Sequence, residues 1–92
     1  MDAKQEMETV IRTLEEEYRF WTVEVISMDR GIEMMEGEIQ SHDSDLGAER
    51  AADLRSRLAR VRTKHEQIEE KLGHIRERID ELRGRLQTME QD

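Results

Sequence analysis

The chain has 92 residues, of which 41% are charged and 3% aromatic, and it contains no proline and no cysteine. This length allows one domain at most, and the composition resembles coiled-coil material more than an enzyme with a deep pocket. The absence of cysteine excludes disulfides, thiolate metal sites and cysteine nucleophiles. The net charge of −8 is unevenly spread, because residues 1–45 hold 13 acidic and 4 basic side chains, whereas residues 46–92 hold 10 acidic and 11 basic ones.

The first predicted helix covers about residues 3–42. Asp2 and Gln5 approximate a capping box at its start. Apolar residues then recur at alternating three- and four-residue steps, which is typical of one face of a helix that packs on another helix. The members of this run are Met7, Ile11, Leu14, Tyr18, Trp21, Val25, Met28, Ile32, Met35 and Ile39.

The same helix carries a second apolar stripe away from this seam. The stripe consists of Phe20, Val23, Ser27, Gly31 and Met34. Contiguous apolar groups off the seam usually mark a contact site, although scattered surface apolar residues are also normal in proteins. We expect an oligomer or partner interface here. A two-fold axis near Ser27 would place Phe20 against Met34 of a second copy and Val23 near its Gly31.

A turn is predicted over about residues 43–47, where turn-forming residues cluster and the phase of the apolar pattern jumps by five residues. Ser44 or Asp45 is expected to cap the second helix, and His42 stands where a helix C-terminus favours positive charge. The second helix covers about residues 48–90. Its seam run is Leu54, Leu58, Val61, His65, Ile68, Leu72, Ile75, Ile79, Leu82, Leu86 and Met89.

The charges that flank the two runs predict how the helices pair. The flanks of helix 1 are acidic and those of helix 2 mostly basic, so each helix repels its own kind and attracts the other. A short turn makes the pair antiparallel, with the numbers of facing layers adding to 93. The expected charge pairs are Glu38 with Arg57, Glu24 with Lys71, Glu17 with Arg78, Glu36 with Arg62 and Glu15 with Arg83. Asp29 would face Glu69 as a mismatch.

The predicted fold is therefore all-α: one domain over residues 1–92, formed by an antiparallel two-helix coiled-coil hairpin. A lone hairpin has a single seam and buries little apolar area. We expect two copies to associate through helix 1 into a homodimeric four-helix bundle.

No residue pattern in the chain indicates catalysis. There is no Gly-rich phosphate loop and no nucleophile beside a base, so we expect no enzyme, no cofactor and no metal site. His65 falls in the seam opposite Met28, where we expect a tolerated polar core residue. A second hypothesis makes His65 a pH-sensitive destabiliser of the seam.

Two function classes remain open from the sequence. The first is a non-enzymatic protein–protein interaction module, such as a scaffold, adaptor or secretion-type chaperone, that self-associates through helix 1. The alternative is an acidic inhibitor that imitates nucleic acid, based on the run Glu15, Glu16 and Glu17 together with Glu33, Glu36 and Glu38. We expect a homodimer with a further protein partner, no contact with membrane or nucleic acid, and a cytoplasmic location, since no signal peptide or membrane span is visible.

Overall fold

The computed structural model describes residues 2–41 and 47–91. Two helices, α1 over Ala3–Ser41 and α2 over Ala48–Gln91, pack against each other, and the described residues contain no strand. The predicted all-α helical hairpin is thereby confirmed. Residues 42–46 lie outside the described residues, and with them the expected roles of His42, Ser44 and Asp45. Within the described ranges, neither helix has a stretch apolar and long enough to cross a bilayer.

Local hydrogen bonds explain where the two helices begin. The Asp2 carboxylate accepts a hydrogen bond from the Gln5 backbone N–H at 2.8 Å, which satisfies one of the donors left free in the first turn. The Asp2 carbonyl accepts a second bond, from the Glu6 N–H at 3.0 Å. At the start of α2, the Gly47 carbonyl accepts from the Ala51 N–H at 3.0 Å.

The chain divides into two compact units, and both helices contribute to each. The first unit comprises Met1–Val23 and Glu70–Asp92. Its core contains one residue of α1, Ile11, and three of α2 at helical spacing, Ile75, Ile79 and Leu82. Partly buried side chains pack around this core: Met7, Leu14, Tyr18, Trp21 and Leu86. Aliphatic side chains at three- and four-residue steps therefore form the interior of this unit.

Ion pairs in the first unit give the relative direction of its helix segments. Lys4 Nζ lies 3.7 Å from a carboxylate oxygen of Glu90, and Arg83 Nη2 lies 3.1 Å from one of Glu15. Residue numbers thus rise along α1 while those of their α2 partners fall. The two segments run antiparallel.

The second unit comprises Glu24–Glu69. Its buried residues are Ala51, Leu54 and Leu58, all on α2. The α1 segment contributes partly buried residues at the seam positions: Val25, Met28, Ile32, Met35 and Ile39. Val61, His65 and Ile68 of α2 are also partly buried, as is Leu72 in the first unit. All eighteen residues of the two predicted seam runs from Ile11 to Leu82 are thus buried or partly buried.

Candidate interaction surface

Large apolar side chains remain exposed mainly on α1. Phe20 is 57% exposed, Val23 64%, Ile26 58% and Met34 70%. Val10, also on α1, is less exposed. Among the described residues of α2, Met89 is the large apolar residue that is exposed. Single exposed apolar residues are ordinary, but this concentration on one of two helices is not explained by packing within the hairpin.

The five residues of the predicted interface fall in both units. Phe20 and Val23 belong to the first unit, and both side chains are exposed. Ser27, Gly31 and Met34 belong to the second unit, where Ser27 and Met34 are exposed and Gly31 is partly buried. A Cβ built on Gly31 would meet no atom within 4 Å. The backbone at Gly31 is therefore open to approach from outside its own chain.

Phe20 is supported by aromatic contacts that the sequence pattern did not predict. Its ring meets the Trp21 ring edge-on, with centroids 5.0 Å apart and planes at 80°. On the same indole, Lys71 Nζ lies 4.3 Å from the ring centroid, a cation–π geometry. The antiparallel register could have predicted the contact with Lys71, because it pairs Trp21 with Leu72, the next residue in the chain. The Phe20 ring is thus in contact with a neighbouring ring while more than half of its surface faces solvent.

The structure forms two of the five expected charge pairs. Arg62 Nη2 pairs with a carboxylate oxygen of Glu36, and Arg83 pairs with Glu15. These contacts join α1 to α2 within the second and the first unit, respectively. The expected pair of Glu24 with Lys71 stays a prediction.

Two other expected pairs are replaced by alternatives. Arg57 lies 3.2 Å from Asp53, one turn earlier on the same helix, while Glu38 is 3.6 Å from Arg50. Arg78 Nη1 donates to Glu81 at 3.1 Å instead of reaching Glu17. Residues three or four apart on one helix are already neighbours, so local pairing needs little ordering of long side chains. Arg57 and Arg78 thus have their ion-pair contacts within α2, whereas their heptad positions predicted Glu38 and Glu17 of α1 as partners.

The expected mismatch between Asp29 and Glu69 contains a third group. His65 Nε2 lies 2.6 Å from Asp29 Oδ1 across the seam, and His65 Nδ1 lies 3.4 Å from Glu69 Oε1 on its own helix. The imidazole is 15% exposed and the two carboxylates more than half exposed. His65 therefore stands between two acidic groups that would otherwise face each other.

Two features of the described residues bear on small-ligand binding: the arrangement of metal-ligating side chains and a groove in the first unit. No cluster of three or more His, Asp or Glu side chains there has an arrangement that would hold a metal ion. A shallow groove of about 480 Å³ in the first unit is lined mainly by charged side chains: Glu15, Tyr18, Arg19, Arg76, Ile79, Asp80 and Arg83. Arg83 and Glu15 are already bound to each other in this groove.

No protein-family model, curated protein or solved structure matches the chain. The surfaces described above are therefore interpreted from their own chemistry.

Proposed function

We propose that the protein is a non-enzymatic interaction module that self-associates through α1, forming a homodimeric four-helix assembly. The observation that carries the proposal is the exposure of Phe20, Val23 and Met34, each more than half open to solvent. Burying one large apolar side chain contributes about 1.5–3 kcal/mol. Because a two-fold interface uses every such residue twice, few residues suffice to support a dimer.

Helical spacing favours a second copy as the occupant of this surface. Within α1, Phe20 and Val23 of the first unit are three residues apart, and Ser27, Gly31 and Met34 of the second follow at steps of four and three, the spacing of neighbours on one face of a helix. An antiparallel copy with the axis near Ser27 brings Phe20 against the copy's Met34. The open backbone at Gly31 then leaves room for Val23 of the copy. Large and small residues thus alternate across the proposed contact.

Charge agrees with this orientation at one position. The axis near Ser27 places Glu24 close to Arg30 of the second copy, so each dimer contains that opposite-charge contact twice. Exposed pairs of this kind contribute up to about 1 kcal/mol each. They select the orientation of the helices more than they supply affinity, which comes from the apolar residues.

The assembled module would serve as a scaffold, adaptor or secretion-type chaperone in the cytoplasm, holding a further protein partner. The alternative, an acidic imitation of nucleic acid, is less favoured by the charges. Glu15, Glu36 and Glu38 are each bound to an arginine of α2. Carboxylates that are already neutralised by their own chain offer little field to a basic groove.

Sedimentation equilibrium at about 50 µM tests the proposal, because the dimer has twice the 11.0 kDa mass of the chain. Phe20→Glu removes two copies of an apolar contact from the interface, so we expect dissociation to become about 100-fold easier or more. Val10→Glu is the matched control. It adds the same charge at an exposed apolar position of α1 outside the stripe and is expected to leave the dimer intact.

Salt distinguishes the two function classes. The apolar dimer is expected to persist in 0.5 M salt, whereas capture of a basic target by a charge mimic would be lost. A wild-type protein that is monomeric at 50 µM rejects self-association. Equal weakening by Phe20→Glu and Val10→Glu rejects the Phe20 stripe as the interface.

A further inference from the structure

His65 occupies an unusual position in the second unit. Among the seam residues of α2 between Leu58 and Leu72, His65 is the polar one, and its side chain is 15% exposed. Its two ring nitrogens point at carboxylates from different helices. Nε2 is 2.6 Å from Asp29 of α1, and Nδ1 is 3.4 Å from Glu69 of α2.

The chemistry of imidazole makes this arrangement depend on protonation. A neutral imidazole has one N–H and so donates to one carboxylate, while its other nitrogen presents a lone pair to the second carboxylate. An imidazolium has two N–H groups and donates to both. Protonation also gives the ring a positive charge, which attracts both carboxylates. The protonated ring therefore satisfies a geometry that the neutral ring satisfies only in part.

The other charged groups around His65 leave this pairing intact. Arg62, three residues earlier on α2, is bound to Glu36 of α1. Lys64 and Glu66 are adjacent in the chain, and residues one apart on a helix do not face each other. Among the described residues, the ion-pair partners of the ring are Asp29 from α1 and Glu69 from α2.

We infer that His65 is an acid-strengthened clasp: its protonation tightens the contact between α1 and α2 in the second unit by joining Asp29 to Glu69. Protonation of His65 would then stabilise the hairpin, whereas the sequence-based hypothesis predicted that it would destabilise an apolar seam. That hypothesis placed His65 opposite Met28, whereas the ring nitrogens lie close to the carboxylates of Asp29 and Glu69. The inference concerns the hairpin itself and does not depend on self-association.

Thermal unfolding followed by circular dichroism at pH 8 and pH 5.5 tests the clasp, since imidazoles take up a proton over this range. The comparison is between wild type and His65→Gln, which retains a neutral donor. We expect the melting temperature of wild type to rise on acidification by about 3 °C or more beyond the change in His65→Gln. His74→Gln is the control, because His74 is an exposed histidine of α2 and its loss should leave the wild-type response unchanged.

Substitution of the carboxylates identifies the partners. Asp29→Asn is expected to remove most of the pH-dependent gain and Glu69→Gln a smaller part, because the Glu69 contact is longer. Both carboxylates are more than half exposed, so these variants keep the test possible even where His65→Gln folds poorly. Equal pH responses of wild type and His65→Gln, a relative loss of stability on acidification, or a full response in Asp29→Asn would each overturn the clasp.

Discussion

Replacing glycines inside the helices by alanine separates stability of the hairpin from stability of the dimer. Gly73 and Gly84 lie in the interior of α2, have no positive φ, and a Cβ built on either meets no atom within 4 Å. Glycine in a helix interior costs about 0.8–1.0 kcal/mol relative to alanine. The two positions are about 16 Å apart along the helix at 1.5 Å per residue, so their effects should add.

The expected gain for Gly73→Ala with Gly84→Ala is about 1.6–2 kcal/mol. For a domain of this size that corresponds to an increase of roughly 7–15 °C in melting temperature. Thermal melts followed at 222 nm at low protein concentration measure it. An unchanged or lower melting temperature would contradict the placement of these two glycines in open space inside α2.

Gly31→Ala makes the same test informative about the proposed interface. A Cβ on Gly31 is equally unobstructed within its own chain, so the isolated hairpin should gain about 1 kcal/mol. In the proposed dimer the added methyl group meets Val23 of the second copy, and overpacking costs about 1–3 kcal/mol. We therefore expect Gly31→Ala to raise the melting temperature of the dilute chain and weaken the dimer about tenfold or more. A dimer as tight in Gly31→Ala as in Gly73→Ala would refute close approach at Gly31.

Two further predictions concern the hairpin alone. Ile79→Ala opens a cavity beside Ile11 and Leu82, so it should lower the free energy of unfolding by about 2–5 kcal/mol and the melting temperature by about 10 °C or more. Val10→Ala, at an exposed position, should change the melting temperature little. A small effect of Ile79→Ala would contradict the assignment of Ile79 to the core. Asp2→Ala removes the acceptor of the Gln5 N–H and should lower the stability of the protein by about 0.5–2 kcal/mol. Protection against amide hydrogen exchange should be lost only in the first turn of α1. A uniform loss of protection along α1 would argue against a local cap.

The alternation of apolar residues contains most of the information about the fold. Ile11, Ile75 and Leu82 could be assigned to the interior from spacing alone, because a helix of 3.6 residues per turn has one apolar stripe and that stripe must be covered. The same spacing placed Phe20 and Met34 off the seam, where the other helix of a hairpin does not cover them, and both are exposed. The start of α1 could be assigned from Asp2 and Gln5, and the start of α2 from the turn-forming residues near Gly47.

Individual charge contacts required the tertiary structure. A flank position specifies the sign of its partner but offers each long side chain several carboxylates within reach, at nearly equal energy. Arg57 and Arg78 accordingly took neighbours on α2, and Lys71 lies over the ring of Trp21. His65 between Asp29 and Glu69 belongs to the same class, because its role depends on which way the ring points. Periodicity therefore determines which side chains are covered by the partner helix, while rotamers and distances of about 3 Å decide which polar groups meet.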